Sequence, residues 1–534
     1  MRWTSLFAAF VALFVLAGCS GGKFSEKTQA GKENVFRYPI HDDPTTLDPG
    51  LVQDGDTIDA LQQVFEGLVA WGENNEVAPR LAEKWEVEDG GKTYVFTLRK
   101  GVKFHNGREV TAEDIKWTIE RNTSKDLASP TWQYLADIVG MKEHHEGRPG
   151  GVAGIEVRDP QTIVMRIDKP RPYFLGKLTY LISAPMAKEA VPTSGPITEV
   201  KDMVGAGPFK ATKYDRGQLL VLDANKDYFE GAPLIAQIER PIIKDPATRL
   251  YKYKSGGLDL VMLQRQDIEA LKADENFASQ LKPFDRPAIW YVGMNSLAYP
   301  PFKDPRVRRA FAMAIDKKRI VDELLGGANT IANSIVPPGV PGHRENAAAI
   351  PFDPAGAKKL LAEAGFPDGK GLPPLEMNYR EALPDIRIVA EAVITMLKEN
   401  LGVEINPRQM EWGAYLQKWN KGEMQIFHMR WAADYLDPEN FLSYMLATYG
   451  PENKIGYNSA KFDALCTEAD SIMDFERRKA LYAEAEDIAL QEAPWVPIYF
   501  QRDFELISER VSGLRESLFG HLPHTKVKLA QKAP

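Results

Sequence analysis

Apolar positions along this chain recur at two spacings, and stretches of each kind alternate over most of its length. In DPRVRRAFAMAIDKKRIVDELLGG, Val307, Ala310, Phe311, Ala314, Ile315 and Leu325 follow the 3.6-residue period of a helix that buries one face. Asp304 can cap that helix, Pro305 suits its first position, where no amide partner is lost, and Gly326 closes it, so one helix is predicted over 305–325. DPAGAKKLLAEAGF repeats the pattern, with Asp353 and Pro354 at the start, Ala357, Leu360, Leu361 and Ala364 on the inner face, and Gly365 at the end. A third helix is predicted over 386–400, stopping at Gly402, and VEINP beyond it alternates as a strand does. Upstream, GKTYVFTLRKGVKFHNG sets Tyr94, Phe96 and Leu98 against Thr93, Val95 and Thr97, with turns at Gly101 and Asn106-Gly107, which predicts a hairpin. TAEDIKWTIER then begins a helix with Thr111 as cap and Ile115 and Ile119 inward. Strands and helices in alternation predict α/β domains.

The first residues change the picture. MRWTSLFAAFVALFVLAGCSGG carries one arginine, an apolar run from Leu6 to Leu16 too short to span a bilayer comfortably, and small residues before Cys19. LAGC resembles the lipobox of bacterial lipoproteins, so residues 1–18 are expected to be a signal peptide and Cys19 the lipidated first residue of an exported chain, held in the periplasm or at the outer face of a membrane. Residues 19–32 are small and polar, as a flexible tether should be. The only other cysteine is Cys466, which excludes an intramolecular disulfide unless Cys19 is its partner. Removing 1–18 takes away Arg2 and moves the formal charge from −8 to −9, a mild acidity with mixed signs that gives no reason to expect nucleic acid as a partner. Roughly 515 exported residues exceed one hydrophobic core and suggest two or three domains. Pro- and Gly-dense breaks occur at 192–196, 283–287 and 337–342, the second being the expected domain crossing.

Catalytic motifs fail on inspection. GCSGG at 18–22 has the spacing of a nucleophile elbow but lies in the lipobox; GAGPFK and AGFPDGKG lack phosphate-loop spacing; His144-His145-Glu146 lacks the second histidine of a zinc helix. Carboxylates suffice for a glycosidase pair, as in any large acidic protein, but no nucleophile, base and orienter can be assembled. No enzyme, no metal and no cofactor is expected.

Several stretches, in order, resemble the family 5 extracellular solute-binding proteins, the peptide and nickel binders that serve ABC importers. They are EKWEVEDGGKTYVFTLRKGVKFHNGREVTAEDIKWTIER (83–121), GAGPF (205–209), the N-x-x-Y element from Asn225 to Tyr228, YKSGGLDL (253–260), VGMNSLAYPPFKDPRVRRAFAMAIDKKRI (292–320) and WAADYLDPENF (431–441). The resemblance implies an α/β, two-lobed periplasmic-binding-protein fold, type II and like the large cluster C members, with an extra domain inserted in the first lobe. It implies a hinge of two crossings: lobe one at 33–285 with the insert near 76–180, lobe two at 286–492, and a return to lobe one over 493–534, with the second crossing wanted at the break 494–497. It also implies a monomer that captures di- or oligopeptides in a cleft and delivers them to ABC permease subunits. The same fold could instead take an oligosaccharide, an opine-like amine or a metal chelate.

The stretch MRWAADYLDPENF, at 429–441, gathers Trp431, Asp434, Tyr435, Asp437 and Glu439. By resemblance, Asp434 receives the ligand's α-ammonium, which needs a fixed carboxylate once desolvated; a bland alternative leaves it tying the loop. Asp437 and Glu439 read as a cap and first turn at Pro438. Trp431 and Tyr435 are candidate pocket walls, and so, by resemblance, is Trp412. Arg380 falls near the position where some dipeptide-binding relatives meet the ligand carboxylate, although the spacing is not identical. Asn295, with Tyr291 on the same strand, and His428 complete the candidates.

Overall fold

The computed structural model describes residues 34–381 and 384–530; the expected signal peptide, the tether and Cys19 lie outside the described residues. Among the described residues no helix is long and apolar enough to cross a membrane.

Two lobes are organised around three sheets. A four-stranded sheet orders Val35–Arg37, Gln237–Pro241, Leu219–Ala224 and Phe209–Asp215. A second, separate one orders Ala82–Glu88, Thr93–Leu98, Thr162–Arg166 and Ile155–Asp159 and packs its own core around Phe96, Ile115 and Ile119, all fully buried. The helix Ala112–Asn122 in this part starts on Thr111 with a capping box closed by Asp114. The hairpin expected after Thr93 is different: that strand pairs backward with Ala82–Glu88 across the Asp89 to Gly91 turn and forward with Thr162–Arg166. Left-handed Asp89, Gly90 and Gly91 make the tight reversal, whereas the Asn106-Gly107 turn closes only a single bridge, Lys103 to Glu109.

The third and largest sheet has seven strands. Its path runs Leu260–Met262, Trp495–Ile507, Leu281–Met294, Ile426–Ala432, Leu375–Arg380, Ile405–Met410, with Thr330–Ile331 attached to Trp495–Ile507. Alternation along Leu281–Met294 fills both faces: Trp290, Val292 and Met294 enter one apolar cluster, Ile289 and Tyr291 the other. The helices Pro305–Met313, Pro354–Glu363 and Pro384–Leu401 cover the first face. The helix expected over 305–325 is broken: it stops at Met313, and a π-helical segment, Arg319–Leu324, restarts after Asp316, whose carboxylate accepts the Arg319 amide at 3.0 Å. A capping side chain in mid-pattern offers the backbone an alternative to continuing the helix.

Two adjacent antiparallel strands of this sheet, Leu281–Met294 and Trp495–Ile507, carry the chain between the lobes. One end of the pair borders Leu260–Met262 and the other borders Ile426–Ala432. The register shifts between Asp285 and Ile289, and there two ion pairs join the strands, Arg286 with Asp503 and Arg502 with Asp285, each at 2.6 Å. Pro497 pairs with Tyr291, inside the portion of the second strand that flanks lobe two, so that strand runs on past the 494–497 break before leaving.

Candidate ligand-binding site

Between the lobes lies a cavity of about 960 Å³. Lobe one contributes the helix Gly55–Leu61, the segment around Trp71 and Tyr180; lobe two contributes Arg380, Asp385, Arg430 and Asp434; the crossing strands contribute Arg286, Trp290, Tyr499 and Gln501.

The lobe-two wall follows from strand alternation. In Ile426–Ala432 and the loop after it, Phe427, Met429 and Trp431 turn to one face and join the core there. The opposite parity, Arg430, Ala432 and Asp434, faces the cavity. Asp434 leaves the strand where Asn440 accepts its amide at 3.0 Å and Trp431 donates its indole N–H to the Asn440 carbonyl at 2.9 Å. Its carboxyl lies beside the Tyr134 hydroxyl from lobe one and the Asn440 side chain, whose interaction with it lowers its pKa, yet its Oδ2 is buried with no hydrogen-bond partner. Burial outweighs those interactions and pushes the carboxyl up to about 6. An acid in this state has one carboxylate oxygen left for a donor.

Beyond Asp434 the loop is structural. Asp437 caps the turn Pro438–Asn440, accepting the Glu439 amide at 2.9 Å, and pairs through both oxygens with Arg478. Glu439 accepts from the Tyr435 hydroxyl, and burial together with nearby Asp470 raises it to about 8.

Of the expected site residues, Asp434 and Arg380 line the cavity; the others do not. Trp431 turns to the other face of the strand and packs against Tyr444, ring centres 5.8 Å apart. Tyr435 is fully buried and stacks on Tyr173 at 5.6 Å, which closes lobe two against the inserted segment and keeps it off the cavity. Trp412 is 41 % exposed at the start of its helix and supports Arg380, whose guanidinium lies 4.9 Å over its ring. Asn295 is buried in a turn, accepting from the amides of Leu297 and Ala298 and donating to the Gly422 carbonyl. Tyr291 is core, stacked on Trp495. His428 is enclosed beside Trp290, and burial pushes it down to about 3, so it is neutral.

Arg430, Trp290 and Tyr134 were not among the expected residues. Trp290 and Arg430 are cross-strand partners, and Arg380 lies 5.4 Å over the Trp290 ring. Period-two alternation from Asp434 backward pointed at Arg430; only the fold brings Tyr134 across.

Charges on the cavity wall are otherwise matched. His41 faces Asp56 at 3.0 Å, Arg240 Asp59 at 2.7 Å, Arg265 Asp385 at 2.7 Å and His521 Glu505 at 2.9 Å; Glu66 holds Arg80, the two crossing pairs hold each other, and Asp54 caps a helix. Glu516 also approaches His521, so these three groups could in principle hold a metal ion, but each carboxylate already faces one nitrogen of that ring. Among the described residues, Arg380 and Arg430 have no carboxylate within ion-pair distance.

Two lobes, two crossing strands and a charged cavity between them define a two-lobed solute-binding protein. The chain belongs to the bacterial extracellular solute-binding proteins, family 5, whose model matches residues 76–453. It is 30 % identical to heme-binding protein A of Haemophilus influenzae, with 98 % of each chain covered, and 28 % identical to the oligopeptide-binding protein OppA of Bacillus subtilis, with 96 % of each covered. Among solved structures, the murein tripeptide binding protein MppA of Escherichia coli superposes with a TM-score of 0.79 at 25 % identity, over 93 % of this chain and 99 % of that one.

Proposed function

We propose that this chain is the receptor of an ABC importer, capturing short peptides between its lobes and presenting them to the permease. The observation that carries the reading is Asp434, an acid on the cavity wall with a buried, unpartnered oxygen. A peptide's α-ammonium supplies the missing donors and the compensating charge. Relatives named for oligopeptides and for a murein tripeptide support the ligand class. Closure turns on the crossing strands, driven by contacts the ligand makes with both lobes at once.

The direct test is calorimetric titration with synthetic di- to pentapeptides and their N-acetylated counterparts. Acetylation removes the ammonium and is expected to abolish binding; equal affinity for both forms overturns the assignment. A second reading, a bulky non-peptide solute, is favoured by the cavity's volume and by its aromatic wall of Trp71, Trp290 and Phe519. Mass spectrometry of what co-purifies from the native host separates the two.

The proposal includes export, lipidation at Cys19, a monomeric receptor and the absence of catalysis. Palmitate labelling lost in Cys19→Ala, and recovery of intact ligand after incubation, are the expected results.

A further inference from the structure

Among the described residues, Asp434, Arg380 and Arg430 are the three charged groups of the cavity wall left unmatched, one acid against two guanidinium groups. Both arginines come from lobe two, on strands Leu375–Arg380 and Ile426–Ala432, and converge on Trp290: Arg380 over its ring and Arg430 directly across the strand pair from it. Arg430 has its Nε buried with no hydrogen-bond partner. Asp503, the acid that acts on it, is committed to Arg286 at 2.6 Å and to Gln501 at 2.8 Å. Burial holds both arginines below their ordinary range, Arg430 at about 10, and repulsion from Arg286 and Arg380 lowers Arg430 further. Unpaired guanidinium groups enclosed together are costly unless an anion arrives.

An ordinary zwitterionic peptide brings one ammonium and one carboxylate. It would satisfy Asp434 and one arginine, and would leave the second guanidinium shut in the closed cleft. The ligand that completes the wall carries one cationic and two anionic groups. Resting on the peptide reading above, we propose that this receptor selects acidic short peptides, whose C-terminal Asp or Glu presents two carboxylates to Arg380 and Arg430 while the α-ammonium sits at Asp434.

The test compares isosteric pairs in titration calorimetry of the intact mature protein: Ala-Glu against Ala-Gln, and Ala-Ala-Glu against Ala-Ala-Gln. The glutamate member is expected to bind at least tenfold tighter in wild type, and the preference to fall toward one in Arg430→Gln and in Arg380→Gln, with Arg430→Lys retaining part of it. Melting curves of the unliganded variants check that each folds. A wild-type ratio near one, or a ratio unchanged in both variants, overturns the proposal. If none of the four peptides binds, the peptide reading fails separately, and the charge inference is then decided by mass spectrometry of the ligand recovered from the native host: two or more acidic groups uphold it, one or none overturns it.

Discussion

At Asp434 binding and stability oppose each other. Its carboxyl titrates at about 6 in the folded, empty protein against an ordinary value near 3.8, so keeping it ionised at neutral pH costs the fold about 3 kcal/mol, a penalty relieved as pH falls through 6 toward 3.8. Asp434→Asn is therefore expected to melt at a higher temperature than wild type when empty, and to lose roughly 3 kcal/mol of peptide affinity, about a hundredfold. Thermal melts with and without peptide read both effects at once. Protons also compete with the ligand. Because the loaded form needs the carboxylate, affinity should be flat above about pH 7 and fall close to tenfold per unit below 6, with proton release on binding detectable by calorimetry in buffers of different ionisation heat. The groups facing this acid are Tyr134, Tyr180, Tyr444, Glu452 and Lys177; burial raises the three tyrosines, which stay neutral through that window, and raises Glu452 as well. Asp437, three residues on, behaves differently: its pair with Arg478 is almost wholly buried, and Asp437→Asn is expected to lower stability by about 3 kcal/mol in denaturant titrations with a smaller effect on affinity.

Motifs at the level of single elements turn out to be mostly architectural. In GAGPF, a Cβ on Gly205 would stand 2.2 Å from the Val64 carbonyl oxygen, and one on Gly207 2.6 Å from the same backbone. The close approach lets Gly207 and Phe209 donate to the carbonyls of Val64 and Gln63 at 2.9 and 2.8 Å. Asn225 of the N-x-x-Y element donates to the Gly207 carbonyl, and Tyr228 donates to Glu66, which lines the cavity. Gly205→Ala is expected to cost about 1–3 kcal/mol of stability by overpacking against backbone, and to weaken peptide binding because it shifts the 62–66 wall. Melting temperature and titration together check this. Helix caps and periodic helix faces were legible in the sequence because each depends on neighbours within a few residues, whereas Asp434 was pointed to by the family resemblance and not by local pattern. The strand partner of Thr93–Leu98, the break at Ala314 and the cavity role of Arg430 were not legible, since pairing across sheets and competition from a mid-pattern cap are decided by distant segments. Trp431 and Tyr435 lie off the cavity for a related reason: proximity in sequence to Asp434 does not survive the alternation of faces in a strand.

For the whole molecule, the cavity has walls from different lobes: Tyr180 on one side, Asp434, Arg430 and Arg380 on the other. A peptide that bridges them should compact the protein, and X-ray scattering in solution is expected to report a smaller radius of gyration on saturation in wild type but not in Asp434→Asn. The crossing strands govern how far such motion can go. They are hydrogen-bonded neighbours within a sheet that also holds Leu260–Met262 from one lobe and Ile426–Ala432 from the other. Rupturing either lobe thus strips an edge from the sheet on which its companion is built. Heating should consequently melt the receptor in one cooperative step, giving a single calorimetric peak that cargo moves upward as a unit.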